Sequence, residues 1–65
     1  MKPVFYEVLN DKGRWMANYS PLLEKTCATP AFDMARITAI HSHGEIYAVG
    51  EDGQRTFVWP KRAIN

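Results

Sequence analysis

Reactive and cofactor-holding groups are what this 65-residue chain has least of. Cys27 is its only cysteine, so no disulfide can close within the chain. That excludes a disulfide-stapled secreted mini-domain as a monomer and fits a reducing, cytoplasmic setting. Charge of one sign is not in excess. Eight Lys/Arg against seven Asp/Glu leave +1, which supplies no general field toward nucleic acid or an acidic membrane. Long apolar runs are missing too: nothing approaches the ~20 residues of a membrane-spanning helix. The opening Met1-Lys2-Pro3-Val4-Phe5 enters an alternating pattern with no signal-peptide apolar stretch. No serine-nucleophile elbow, glycine-rich phosphate loop or paired-acid motif is present, and a chain this short has little material to wall a deep pocket. The expectation is a protein that is not an enzyme and uses neither cofactor nor metal.

What is present is apolar and aromatic. Hydrophobic residues make up 46% of the chain, including two Trp, three Tyr and three Phe. These can build one small core, so residues 1–65 are read as a single domain. A core of this size is marginal alone, and forming a homodimer is one way to bury more surface.

Three short polar runs, each ending in glycine, divide the apolar stretches: Asn10-Asp11-Lys12-Gly13, His41-Ser42-His43-Gly44 and Gly50-Glu51-Asp52-Gly53. Each reads as a hairpin turn whose last residue takes positive φ, a region glycine enters at little steric cost. Between them, strands are expected over Val4 to Leu9, Arg14 to Tyr19, Arg36 to Ile40, Glu45 to Val49 and Arg55 to Trp59, where β-branched and aromatic residues alternate with polar ones. In the second, period two places Trp15, Ala17 and Tyr19 on one face and Arg14, Met16 and Asn18 on the other. In the last, it places Arg55, Phe57 and Trp59 together.

Ser20-Pro21 ends the second strand and offers a serine N-cap with proline at the first helical position, which predicts a helical turn over Pro21 to Thr26. Thr29-Pro30 repeats the signal, so a second short helix over Pro30 to Ala35 competes with a loop. With Leu22, Leu23, Phe32 and Met34, this connection is too apolar to be disordered and is expected to cap the core. The fold class is therefore mainly β: a five-stranded curled antiparallel sheet, like the SH3-like small barrels, with a helical or looped insertion between strands 2 and 3. The alternative is an α+β open sheet with one helix on a face.

Few residues point to chemistry. Two strand residues two apart share a side, so His41 and His43 could face one metal ion, but two ligands do not make a site and both read as turn residues. Cys27 could act as a nucleophile only with a histidine base beside it, and reads instead as a small buried hydrophobe. The aromatic and arginine residues carry more weight, because these types are enriched in binding hot spots. Trp15, Tyr19, Arg55 and Trp59 are the candidate contacts, with Arg14 and Arg36 at the rim. The expected function is a non-catalytic protein-interaction module, a small regulator or inhibitor acting through a sheet face or edge strand on another protein. Phage- and plasmid-encoded host-interaction proteins are built on this scale, a class-level analogy.

The alternative is a nucleic-acid-binding module stacking bases on strand aromatics and holding phosphates with Arg14, Arg36, Arg55, Lys61 and Arg62. Against it, the run Gly53 to Trp59 lacks the glycine and aromatic placement of an RNP motif. From Arg36 onward, the order of apolar strand, glycine turn and acidic-glycine turn resembles the β-meander of LytTR-type DNA-binding domains. The resemblance covers under half the chain, and no function is carried over from it.

Overall fold

The computed structural model describes residues 3–22 and 29–60. Its elements, in chain order, are β1 (Phe5–Leu9), β2 (Trp15–Tyr19), α1 (Ala31–Ser42), β3 (Glu45–Val49) and β4 (Arg55–Trp59). The four strands form one antiparallel sheet in the order β2-β1-β3-β4. Two hairpins thus meet along β1 and β3, paired from Phe5↔Val49 to Leu9↔Glu45. Since β2 and β3 are both antiparallel to β1, they run the same way, and joining them requires a crossover. The segment containing α1 makes it. The outcome is the α+β arrangement, an open sheet with a helix on one face, and neither a fifth strand nor an SH3-like barrel is seen among the described residues.

The residues expected as the third strand, Arg36 to Ile40, are the second half of α1. Ile37, Thr38 and Ile40 suggested a strand by β-branching, but Ala31, Ala35 and Ala39 recur every four residues and all three are fully buried. This is the helical repeat. Alanine there lets the helix backbone approach the sheet closely, and that tertiary packing outweighs the modest strand preference of isoleucine and threonine. The helix begins after Pro30, which occupies the N-cap position without a side-chain cap. Of the helix and the loop left open over Pro30 to Ala35, the helix is the one that forms, and it runs on to Ser42. With Arg36–Ile40 helical, the resemblance to a LytTR meander loses its first strand. Ser20 Oγ accepts the Leu22 amide at 3.2 Å, as a helix-start serine would. The remainder of the turn expected over Pro21 to Thr26, and Cys27 with it, lies outside the described residues.

Two of the three glycine turns form as expected. Gly13 and Gly53 sit at φ 79° and 82°, and their amides donate to Asn10 and Gly50 carbonyls, both at 3.0 Å. The third run is no hairpin. It is the last turn and C-terminal cap of α1, where His43 rather than glycine adopts the left-handed conformation, at φ 54°. The His43 amide donates to Ile40 O at 3.3 Å and the Gly44 amide to Ala39 O at 2.8 Å, a Schellman motif. Gly44 has another role: a Cβ there would stand 1.8 Å from the Leu9 carbonyl oxygen, so only glycine lets the end of α1 pass the end of β1.

The core lies between α1 and the sheet. Val8 and Ile46, on the two central strands, are fully buried with Ala35 and Ala39, and Tyr6, Tyr19, Phe32, Val58 and Trp59 pack around them. Tyr6 meets Phe32 edge-on with ring centroids 5.5 Å apart, and the Tyr19 hydroxyl shares a 2.6 Å hydrogen bond with Thr38 Oγ1. The helix lies over β1 and β2 and reaches β3.

Candidate functional site

No described element covers the face of the sheet opposite α1. Strand alternation assigns its side chains. Phe5, Glu7 and Leu9 come from β1, Asn18 from β2, Tyr47 and Val49 from β3, and Arg55 and Phe57 from β4, each in register with its neighbours. Glu7 is central, paired with Asn18 on one side and Tyr47 on the other. Its side chain is 20% exposed and its Oε1 is buried without an aligned hydrogen bond. The Arg55 guanidinium closes on that oxygen as an ion pair. Such a pair chiefly compensates the cost of taking a carboxylate out of water and adds little net stability.

Arg55 also lies 4.9 Å from the centre of the Tyr47 ring, a cation–π contact. Tyr47 and Phe57 meet edge-to-face at 5.7 Å, and the Tyr47 hydroxyl donates to Glu45 Oε1 at 3.0 Å. The result is an aromatic surface with a charged pair fixed in its middle.

The six residues selected from the sequence do not assemble into one site. Arg55 is on the helix-free face, as is Trp15, which pairs with Leu9 and donates its indole N–H to Asn18 Oδ1 at 2.8 Å. Trp15 is 60% exposed. Tyr19 and Trp59 pack against the core on the helix side. Arg36 lies on α1 and pairs with Asp33 at 3.4 Å, both half-exposed. Arg14 is exposed at the end of the first turn, its amide held by Asn10 Oδ1 at 2.9 Å.

Two β-bulges separate the tryptophans. Between Val8 and Leu9 the pairing jumps from Ala17 to Trp15, and between Ile46 and Tyr47 it jumps from Trp59 to Phe57. The extra residues are Met16 and Val58. A bulge shifts alternation by one residue, so Trp15 parts from Ala17 and Tyr19, and Trp59 from Arg55 and Phe57. The single-face expectation for each strand is corrected accordingly. What the sequence reading left out of its contact set is Glu7, Tyr47 and Phe57. A lone carboxylate inside the apolar run Val4 to Leu9 was the available signal for the first.

Among the described residues no three His, Cys, Asp or Glu side chains gather as a metal site would require. His41 is in the last helical turn and His43 is its cap, so they do not share a strand face. Among the described residues the arginines are dispersed rather than striped: Arg36 and Arg55 each engage a carboxylate, and Arg14 stands at a turn. No described helix is long and apolar enough to cross a membrane. No family model, curated protein or solved structure matches this chain.

Proposed function

We propose that this protein is a non-catalytic interaction module, a small regulator or inhibitor that engages another protein through the helix-free face of its sheet and the adjoining edge strand β2. The observation that carries the reading is the arrangement of that face: Tyr47, Phe57 and Arg55 locked together around Glu7, with Trp15 and Met16 exposed at its edge. Rigid aromatic and arginine side chains lose little conformational entropy on docking, which is why they dominate hot spots. The ion pair fixes the guanidinium plane before a partner arrives. Binding of nucleic acid has less support, because two of the three described arginines already neutralise carboxylates and phosphate binding rests on uncommitted cations.

Capture from the source cell with the immobilised chain at moderate salt tests the reading. A specific protein should be retained by the native chain and lost with Trp15→Ala and with Arg55→Ala, while a control altered on the solvent side of α1 keeps it. Retention that ignores the sheet-face variants overturns the assignment. So does capture of oligonucleotide that falls steeply with added salt.

A further inference from the structure

The outer edge of β2 is open: no described strand pairs with it. The Asn10 amide bonds to the Arg14 carbonyl, so antiparallel alternation makes Leu9↔Trp15 and Glu7↔Asn18 the non-hydrogen-bonded pairs. The main-chain N–H and C=O of Trp15 and Asn18 therefore point away from β1. Natural edges are guarded by charge, proline or a bulge. From Trp15 to Tyr19 there is neither a charged residue nor a proline, and the bulge at Met16 is the one guard present. Trp15 and Met16 are exposed along this edge, and so is Leu22 just past its end.

α1 supplies a wall above the same edge. Tyr19 of β2 is bonded to Thr38, so the Thr38 flank of the helix is the one turned toward it. Thr38, Met34 and His41 lie about 60°, 100° and 120° round from the buried Ala35 on that flank, and Phe32, Arg36 and Ile40 lie about 60°, 100° and 140° round the other way. Phe32 meets Tyr6 of β1, on the inner side, as this orientation requires. The flank over the edge holds no carboxylate, lysine or arginine.

We infer that an extended, uncharged segment of the partner protein adds to β2 as a further strand, bonding through the main chain of Trp15 and Asn18 and packing apolar side chains on Met34 and Thr38. The inference rests on the proposed function and names how the edge is engaged. The occupant is a strand because a row of main-chain donors and acceptors is matched by another main chain. It is uncharged because neither edge nor wall offers an ion to pair with it. A second copy of β2 fits less well, since a two-fold there would set bulge against bulge.

The test is amide NMR of the isotope-labelled full chain, titrated to about 1 mM with a peptide of four Val-Thr repeats between terminal lysines. The Trp15 and Asn18 amides should shift and exchange about tenfold more slowly. In chains made by chemical synthesis, N-methylation of the Asn18 amide should abolish binding, and N-methylation of the Arg55 amide on the other edge should leave it intact. Met34→Lys should raise Kd about tenfold with an unchanged circular dichroism spectrum, while Ile40→Lys should not change it. Peptide that leaves the β2 amides unmoved, binding that survives N-methylation at Asn18, or shifts at β2 that grow with protein concentration in the absence of peptide would each overturn the inference. These results bear on the edge alone, because the capture test of the proposed function uses the Trp15 and Arg55 side chains, which backbone methylation leaves in place.

Discussion

The two hairpins are built on the same turn and end with opposite surfaces. In each, a five-residue loop is closed by paired backbone bonds: Asn10 N to Arg14 O at 2.8 Å in the first, Gly50 N to Gln54 O at 3.0 Å in the second. A side-chain carboxamide or carboxylate then holds the amide that follows the glycine, Asn10 for Arg14 and Asp52 for Gln54. What differs is where the extra residue falls. In β2 the bulge adjoins the turn and turns Trp15 outward, whereas in β4 it lies toward the far end and turns Trp59 into the core beside Ile46. One residue of register thus decides whether a tryptophan serves folding or remains available to a partner.

The largest expected effect lies where the two hairpins meet. Gly44→Ala sets a methyl against the Leu9 carbonyl, backbone against backbone, so neither can yield as a side-chain tip would. Urea denaturation should show a loss of about 3 kcal/mol or more, the scale of severe overpacking. A loss under about 1 kcal/mol would mean that the hairpins tolerate sliding apart at this point.

Tyr19→Phe probes how the first hairpin is tied to the helix, because it removes only the hydroxyl bonded to Thr38. A loss of about 1 kcal/mol is expected, read as a melting temperature roughly 4–8 °C lower for a domain of this size. His43→Gly acts in the other direction. Glycine takes the left-handed cap conformation without the steric cost histidine meets, offset by its freer unfolded chain, so a gain of about 0.5–1 kcal/mol is expected from the same melting curves.

Much of this fold was legible in sequence, and the failures share a cause. Gly13 and Gly53 announced their turns because φ-positive geometry leaves a local signature. Strands β1, β2, β3 and β4 followed from the alternating stretches beside the turns. Arg36–Ile40 was misread because its β-branched residues favour a strand locally, while the force that makes it helical, the buried alanine ridge, acts only once the sheet is present. His43-Gly44 carried the residue that marks a turn, but the glycine is there for close approach and not for its φ. The candidate site was legible in residue type and not in grouping: Trp15 and Arg55 reach the open face, Tyr19 and Trp59 do not. Bulges at Met16 and Val58 have no sequence signature of their own, so period-two reasoning assigned both tryptophans to the wrong companions.

The comparison of the tryptophans can be broken directly. Trp59→Ala removes a ring that pairs with Ile46 and packs against the core cluster, and should cost about 2–3 kcal/mol, below the full core value because the ring is only partly buried. Trp15→Ala removes an indole that is mostly in water and holds one hydrogen bond to an exposed asparagine. Its effect should stay within about 0.5 kcal/mol, as for surface substitutions generally. Fluorescence separates the two independently of stability. In Trp15→Phe the remaining Trp59 emission should be the shorter in wavelength and the better shielded from acrylamide, and in Trp59→Phe the remaining Trp15 emission should be readily quenched. Equal quenching, or a destabilisation by Trp15→Ala matching that of Trp59→Ala, would mean that the first bulge does not turn its tryptophan outward. The open sheet face would then lose its most exposed aromatic anchor.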